Sequence, residues 1–258
     1  TTVAALEDLQ KELPGVDLVP LRKVVEPLRL RKSPEEVELI RRAAHIADQA
    51  YQAFLQAGPP QVSEKLGALE LLRLMLEAGA DDKSFDTILA CGPGAAEPHH
   101  QPDDRIIEGP APLKIDMGAK IAGYCSDMTR TLYLGGPDET FVKVYRAVYE
   151  AQQAALELVR AGVRAREVDA AARRVIEEAG YGEQFSHGLG HGVGLEVHEG
   201  PSLGSTSEDV LEEDHVVTIE PGVYLQGWGG VRIEDLVLVT ADGAEVLSQA
   251  PKPTPDEL

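Results

Sequence analysis

The sequence predicts an α+β domain with pseudo-twofold symmetry. Each of two halves is a helix pair followed by a β-hairpin, around a central antiparallel sheet. Ala-Gly pairs recur where helices are expected to end, at 57–58 and 78–79 and again at 161–162 and 179–180. A carboxylate-x-Gly run also recurs, because 115–118 (Ile-Asp-Met-Gly) is answered 104 residues later by 219–222 (Ile-Glu-Pro-Gly). Repeats of this kind predict two hairpins that meet at one shared site.

The first helix is predicted to begin at Ser33, whose side chain can cap it. Pro34 suits the first turn, and Glu36 completes a capping box. Apolar residues then follow at three- and four-residue steps, which predicts one buried helical face. These positions are Val37, Ile40, Ala44, Ala47, Tyr51 and Phe54.

Three further helices are predicted from the same periodicity. One runs through four of the leucines in 66–76 and ends near Gly79, and the others lie at about 141–162 and 165–180. The leucines are Leu66, Leu69, Leu72 and Leu76, and the apolar face of the third helix is Phe141, Val144, Val148 and Ala151.

The order of these elements suggests the domain organisation. Residues 1–31 are short, mixed and interrupted by prolines, and we interpret them as a linker or as the tail of a missing N-terminal domain. Residues 32–258 are expected to form the catalytic domain, with halves at about 32–135 and 136–250.

Composition and charge limit the classes of function. The formal net charge of −20 disfavours nucleic acid or an anionic membrane as a partner. The longest apolar runs are too short to span a bilayer. The two cysteines, Cys91 and Cys125, lack any paired-motif spacing, which argues against a disulfide framework and predicts a cytoplasmic protein.

Both predicted hairpins carry acids in otherwise apolar surroundings. The first hairpin, 113–134, contains Asp116 and Asp127, and the second, 216–240, contains Glu220 and Glu234. A single acid of this kind is more often a salt-bridged or turn-capping residue. Burying an ionised acid without compensation costs several kcal/mol, so four converging carboxylates predict bound cations. Two divalent ions would balance their charge.

Three of the seven histidines, His187, His191 and His198, fall within 12 residues and are interleaved with glycines. The glycines let the backbone approach other strands closely. His99 and His100 occupy the equivalent loop of the first half. A lone histidine is more often structural, but this cluster accompanies four carboxylates. An oxygen-rich set with one imidazole suits Mn²⁺, Fe²⁺, Co²⁺ or Zn²⁺ and does not decide among them.

These segments resemble the pita-bread metallopeptidases, a family that includes methionine aminopeptidase, aminopeptidase P, Xaa-Pro dipeptidase (prolidase) and creatinase. The resemblance covers about residues 31–250 and rests on motifs in the expected order. They are 115–118, 123–131, 187–199, 218–224 and 230–235.

The resemblance implies a role for each matching residue. Asp116 and Asp127 would bind one metal, with Asp127 bridging, and His191 would bind the other, while Glu220 and Glu234 complete both shells. Glu220 would also orient or deprotonate the attacking water. His99 and His198 would position the scissile peptide and stabilise the tetrahedral intermediate. The substrate-side residues would be His187, Arg232 and Tyr224.

Within the family, Arg232 and the run Glu-Pro-Gly-Val-Tyr favour the Xaa-Pro branch, because methionine aminopeptidases usually lack an arginine before the last metal-binding glutamate. The resemblance therefore implies an exopeptidase that hydrolyses the Xaa-Pro bond at the N-terminus of dipeptides or short peptides through a metal-bridging hydroxide. Two divalent ions are expected, with Mn²⁺ preferred and Co²⁺ or Zn²⁺ as alternatives. A homodimer is expected for the full-length form.

Three other functions stay open at this point. A methionine aminopeptidase-like enzyme would share the metal ligands. A catalytically silent relative could use the same fold to bind peptides. A metal-dependent hydrolase of a non-peptide C–N bond would also fit the cluster.

Overall fold

The computed structural model describes residues 2–21, 23–58 and 61–258. Two short helices come first, α1 (Val3–Glu12) and α2 (Glu26–Leu30). The first half then contains helices α3 (Pro34–Gln56) and α4 (Glu64–Glu77), a 3-10 helix (Gly92–Ala96), and strands β1 (Asp82–Lys83), β2 (Ile88–Cys91), β3 (Ala111–Met117), β4 (Ala119–Ile121), β5 (Tyr124–Cys125) and β6 (Met128–Leu134).

The second half follows the same order. It contains helices α5 (Glu139–Leu156) and α6 (Ala165–Glu178), a 3-10 helix (Gly182–Gln184), and strands β7 (Gly190–Gly192), β8 (Glu199–Leu203), β9 (Val216–Ile219), β10 (Gly222–Leu225), β11 (Gly229–Arg232), β12 (Asp235–Val239) and β13 (Ala244–Val246). The predicted α+β class and the division into two similar halves are confirmed.

Helix α3 begins as predicted. The Ser33 hydroxyl accepts a hydrogen bond from the Glu36 amide at 3.3 Å, and the Ser33 amide donates to Glu36 Oε2 at 2.8 Å. This reciprocal pair is the predicted capping box. All six residues of the predicted apolar face of α3, and all four of α5, are buried.

Helix α4 is present where it was predicted, but its row of leucines is not the face that it buries. Three of the four leucines are 46–60% exposed, namely Leu66, Leu69 and Leu76. The helix instead buries Gly67, Leu71 and Met75. A Cβ at Gly67 would overlap the Leu89 side chain, so the helix backbone packs directly on β2 there. A leucine-rich helix has more than one apolar face, and this close approach selects the one that is buried.

Helix α5 ends at Leu156, earlier than the predicted end at 161–162. The amides of residues 157–159 still donate to carbonyls three or four residues back, and the amides after them find distant partners. Ala161 donates to the Thr240 carbonyl at 3.0 Å, and Gly162 donates to the Leu211 carbonyl at 2.8 Å. These long-range hydrogen bonds are invisible to local periodicity.

The two halves share an arrangement of three paired strands, to which the second half adds β8 and β13 at the edges of its sheet. In the first half β3 pairs with β2 and β6, and in the second half β9 pairs with β7 and β12. Asp116 lies opposite Thr129 in the first set, and Ile219 lies opposite Asp235 in the second. Every pairing among the described strands is antiparallel. Both predicted hairpins are therefore confirmed, and each carries a smaller hairpin at its end, β4–β5 or β10–β11.

The two sets of strands meet between β6 and the β11–β12 region. The Glu234 amide donates to the Thr129 carbonyl at 3.1 Å, and the Thr131 hydroxyl donates to the Arg232 carbonyl at 2.9 Å. Helices α3 and α4 share one hydrophobic core with the strands of the first half, and α5 and α6 share another with those of the second. Each half thus supports its own hairpin, and the hairpin ends face each other at the junction.

Helices α1 and α2 bury none of their residues. The segment just after them is attached more firmly, because Lys32 Nζ lies 2.9 Å from Glu199 Oε1 and is itself buried. The boundary expected at 31–32 stays a prediction. Among the described residues, none of the helices has the length and apolar character to cross a membrane.

Candidate metal centre and active site

The five predicted metal ligands come from both halves and reach one cavity. Asp116 lies on β3 and His191 on β7, whereas Asp127, Glu220 and Glu234 lie where strands are interrupted. The cavity has a volume of about 440 Å³ and is lined by all five. It is also lined by His99, His187, His198 and Arg232. Tyr224 is the one predicted site residue that does not line this cavity.

His191 is oriented towards the carboxylates. Its Nε2 lies 3.2 Å from Glu220 Oε1 and 3.6 Å from Asp127 Oδ2. Its Nδ1 lies 3.1 Å from the Gly192 carbonyl oxygen, which can only accept, so Nδ1 carries the hydrogen. This arrangement leaves Nε2 as the atom that faces the cluster, which is the arrangement typical of a metal-ligating histidine.

The glycines around His191 permit its placement. A Cβ at Gly190 would overlap the Thr218 carbonyl, and one at Gly192 would overlap the Gly200 carbonyl. Strand β7 therefore packs between β8 and β9 more closely than a side chain allows. The sequence-based expectation of a close backbone approach is confirmed here.

The donor set fits divalent cations. Asp116 Oδ1 is buried and has no hydrogen-bond partner among the described residues, although Oδ2 accepts from Arg232. A buried carboxylate oxygen without a partner is costly, and a cation would satisfy it. Asp127, His191 and Glu234 each offer a ligand atom, and these atoms all lie within 4.8 Å of one another. Carboxylates with one imidazole suit divalent first-row metals.

Burial and the neighbouring charges shift the pKa values of the acids in opposite directions. Burial, followed by repulsion from neighbouring carboxylates, raises the pKa values of Asp127 and Glu234 well above their ordinary range. Burial also opposes ionisation of Glu220, but the hydrogen bond and charge of His191 outweigh it and lower the Glu220 pKa to about 2. In the absence of cations, the cluster keeps protons on some carboxyls and a negative charge on Glu220.

Two threonines that the sequence analysis missed hold the glutamates. The Thr129 hydroxyl donates to Glu234 Oε2 at 2.6 Å, and the Thr218 hydroxyl donates to Glu220 Oε1 at 3.1 Å. Each threonine lies two residues from a predicted metal ligand, Thr129 from Asp127 and Thr218 from Glu220. That spacing was the available signal.

A directed chain of hydrogen bonds joins the three predicted substrate-side residues. Arg232 Nη1 donates to the Tyr224 hydroxyl at 3.0 Å, and that hydroxyl lies 2.8 Å from His187 Nε2. His187 Nδ1 lies 2.7 Å from the Gly188 carbonyl oxygen and so carries the hydrogen, which leaves Nε2 to accept from Tyr224. Burial raises the pKa of Tyr224 to about 12 and lowers that of His187, so both stay neutral.

Arg232 also contacts residues beside the predicted metal ligands. It is 3% exposed, contacts Asp116 through Nη2, and donates to the Thr129 hydroxyl at 2.9 Å and the Pro98 carbonyl at 3.2 Å. The guanidinium therefore fixes the orientation of Asp116.

The remaining histidines differ in their placement. His198 packs edge-on against His191 with ring centroids 4.4 Å apart, and burial followed by the charge of His191 lowers its pKa. His99 lines the cavity, but His100 points away from it. Its Nε2 lies 2.7 Å from the fully buried carboxylate of Glu64, a residue that the sequence analysis did not single out.

Comparisons with known proteins agree with this geometry. Residues 38–241 match the model of metallopeptidase family M24. The Xaa-Pro dipeptidase of Pyrococcus furiosus is 44% identical over 226 residues, which cover 88% of this chain and 65% of that protein. A solved structure of an Xaa-Pro dipeptidase from Bacillus anthracis has a TM-score of 0.96 at 41% identity, over 98% of this chain and 71% of that one. An X-Pro aminopeptidase from Thermotoga maritima has a TM-score of 0.93 at 36% identity, over 98% and 72% of the two chains.

The fold and the carboxylate–imidazole cluster define a metal-dependent peptidase. The chain belongs to metallopeptidase family M24. It spans about two thirds of the length of the curated relatives it matches, 67% and 65% for two of them. The predicted family, the pita-bread fold and the enzyme class are confirmed, and membership in the family implies divalent metal ions and peptide substrates.

Proposed function

We propose that this protein is an exopeptidase that hydrolyses the Xaa-Pro bond at the N-terminus of dipeptides or short peptides. The observation that carries the proposal is the convergence of the five predicted ligands on one cavity, with His191 Nε2 between Glu220 and Asp127. Relatives of 44% and 41% identity named Xaa-Pro dipeptidase support the choice of substrate.

Two divalent ions would be held by Asp116, Asp127, His191, Glu220 and Glu234. When bound, they would supply Lewis acidity for a carbonyl oxygen and lower the pKa of water. The donor set is compatible with Mn²⁺, which we propose as the preferred ion, and also with Co²⁺ or Zn²⁺.

The residues around the cluster would act on the substrate and on protons. Glu220 lines the cavity beside His191, and its proposed role is to orient the attacking water and accept its proton. His198 is neutral at pH 7 and can donate a hydrogen bond to the oxyanion that develops on the scissile carbonyl. His99 lines the same cavity and is proposed to position the peptide.

The substrate-side residues would act mainly by preorganisation. The chain from Arg232 through Tyr224 to His187 fixes the His187 tautomer, so a ring of defined orientation meets the residue after the scissile bond. Arg232 would also keep Asp116 in place. The negative charge of the acids offers a site for the free α-amino group, which explains why such a site would remove one residue from an N-terminus.

Two further expectations concern the cell and the assembly. Both cysteines are buried free thiols, which supports a reducing, cytoplasmic location. A homodimer of the full-length form is also proposed, and light scattering coupled to gel filtration would measure it.

Reconstitution with one metal at a time tests the proposed function. The protein would be loaded separately with Mn²⁺, Co²⁺ or Zn²⁺ and assayed on an Xaa-Pro dipeptide, an Xaa-Pro-Xaa tripeptide and a Met-initiated peptide without proline. We expect cleavage of the proline peptides. Cleavage of the Met-initiated peptide alone would support a methionine aminopeptidase instead, and the absence of bound metal and turnover would support a peptide-binding relative.

A further inference from the structure

We propose that Glu199 is a positioning residue for His198, and that two cations ahead of helix α3, Arg29 and Lys32, hold it in place. This inference rests on the proposed function, in which His198 donates a hydrogen bond to the developing oxyanion. Neither Glu199 nor the two cations line the active-site cavity. Their role would therefore be indirect, through the position of the His198 ring.

The ring of His198 is not held by hydrogen bonds of its own. It packs edge-on against His191, with ring centroids 4.4 Å apart, but it forms no hydrogen bond with another residue that the structure describes. His198 is the last residue of the loop 193–198 between β7 and β8, and Glu199 is the first residue of β8. The direction of the His198 side chain therefore depends on where the backbone at Glu199 lies.

The carboxylate of Glu199 is buried between this loop and the segment that precedes α3. Its side chain is 7% exposed, and Oε1 lies 2.9 Å from the Nζ of Lys32, whose side chain is 2% exposed. The other oxygen, Oε2, lies 2.5 Å from Arg29 Nη2. Charge-assisted hydrogen bonds at both oxygens fix the geometry of the carboxylate, because separating a buried ion pair leaves an uncompensated charge.

The same carboxylate also determines the course of the loop 193–198. A Cβ at Gly194 would overlap the Glu199 carboxylate, so the start of the loop packs directly on it. The Glu196 amide lies 3.4 Å from Glu199 Oε2. The loop is therefore wrapped around the Glu199 side chain, and a shift of this side chain would displace His198.

The end of helix α2 packs on the same strand. A Cβ at Gly200 would overlap the Leu30 side chain, so this leucine lies directly against β8, and Lys32 Nζ donates to the Leu30 carbonyl at 3.1 Å. The adjacent cation, Arg31, has a different partner. Its Nη2 lies 3.3 Å from Asp214 Oδ2, and its side chain is 57% exposed. Arg31 is therefore a matched control for Lys32, because it forms an exposed ion pair away from the loop.

Three variants and the wild-type protein test the proposal. They are Lys32→Met, Arg31→Met and the double variant Lys32→Met/Glu199→Gln, each loaded with Mn²⁺ and assayed on an Xaa-Pro dipeptide. Metal affinity is measured by calorimetry and stability by urea unfolding. We expect Lys32→Met to lower kcat about tenfold and to leave KM and the metal dissociation constant within about twofold, because a displaced His198 weakens only the transition state. Arg31→Met should behave as wild type.

The double variant separates positioning from a contribution to stability. Lys32→Met removes one partner of the buried Glu199 charge and should destabilise the fold. Replacing both members of the pair removes that cost, so the double variant should recover most of the lost stability. Its kcat should stay low, because the contact that orients the loop is still missing. Recovery of wild-type kcat along with stability would overturn the proposal, and so would equal kcat values for Lys32→Met and Arg31→Met.

Nuclear magnetic resonance keeps this proposal distinct from the proposed function. If the wild-type protein cleaves no proline peptide, the proposed function fails, and the imidazole ¹⁵N–¹H signals of His198 are recorded in the Zn²⁺-loaded protein. His198→Asn assigns these signals. We expect them to move in Lys32→Met and to stay in place in Arg31→Met. Unchanged His198 signals in Lys32→Met would overturn the positioning role, whatever the activity.

Discussion

Three of the four predicted metal-ligating carboxylates of the cavity are held by a hydroxyl or guanidinium donor. Thr129 donates to Glu234, Thr218 donates to Glu220, and Arg232 donates to Asp116. Each partner uses one oxygen of its acid. The hydroxyl and guanidinium donors therefore restrict the rotamers of the acids and leave other lone pairs for cations.

At the residue scale, Asp127 and Glu220 are the most informative positions to change. We expect Asp127→Ala to abolish metal loading and turnover, because it removes one of the carboxylates that would hold the metal ions. Glu220→Gln should lower kcat by about 10²–10⁴-fold, since it removes the proposed proton acceptor. Elemental analysis and steady-state kinetics measure the two effects. Glu139→Gln, at an acid whose side chain is 84% exposed, is the control. Wild-type turnover in either site variant would contradict the assignment.

Glu64 allows a second test at the residue scale. Its carboxylate accepts hydrogen bonds from the Cys91 amide at 2.7 Å and the Asp103 amide at 3.1 Å, and it pairs with His100. Glu64 therefore holds both ends of the loop that carries His99, since Cys91 precedes this loop and Asp103 follows it.

We expect Glu64→Ala to lower the free energy of unfolding by about 3 kcal/mol, because it leaves buried donors without an acceptor. It should also lower kcat by about tenfold through displacement of His99. Glu64→Gln keeps one acceptor oxygen and should lose less of both. Urea unfolding and kinetics are the measurements, and Glu97→Gln, which changes the exposed acid near the other nitrogen of His100, is the control. Equal stability of Glu64→Ala and Glu97→Gln would count against this role.

At the scale of elements, close backbone packing decides which faces are buried. Helix α4 turns its glycine face to β2, and β7 fits between two strands because Gly190 and Gly192 have no side chains. In both cases the pattern of apolar and polar residues is compatible with more than one packing arrangement. The absence of a Cβ selects one of them.

Gly190→Ala tests this principle beside the metal centre. The new methyl group would overlap the Thr218 carbonyl, so β7 must move away from β9 and carry His191 with it. We expect a loss of about 2 kcal/mol of unfolding free energy and weaker metal binding. Thermal unfolding and metal titration would show both effects. Gly243→Ala, whose Cβ would meet no atom within 4 Å, is the matched control and should retain both properties.

At the scale of the whole molecule, the site lies between two halves that repeat one plan. Asp116 and Glu220 occupy equivalent places, since Asp116 lies opposite Ile88 on β2 and the Glu220 amide donates to the Leu189 carbonyl beside β7. Of the two equivalent strands β2 and β7, only β7 carries a histidine, His191. The repeated strand arrangement positions the carboxylates, and the difference between the halves adds the imidazole of His191.

Metal removal should affect the stability of the whole protein. The raised pKa values of Asp127 and Glu234 mean that the metal-free folded state holds protons that the unfolded state has released. Its stability therefore falls as the pH rises through those raised values. Metal ions replace the protons, so stabilisation by metal should grow with pH.

We expect saturating metal to raise Tm by about 5–10 °C at pH 8 and by less at pH 5. Scanning calorimetry with and without a chelator measures the shift. Asp127→Ala should show no such dependence. A Tm that chelation leaves unchanged at pH 8 would contradict the electrostatic account.

The sequence by itself determined the order of helices and hairpins, the twofold repeat, and the ten residues proposed for the site. These features are local or repeated, so periodicity, capping residues and matched motifs reveal them. The tertiary structure decided the buried face of α4, the end of α5, and the roles of Thr129, Thr218 and Glu64. Each of these depends on contacts between residues far apart in the chain. Such contacts leave no periodic trace, because which atom satisfies a buried donor or fills the space beside a glycine is settled only when the two halves pack together.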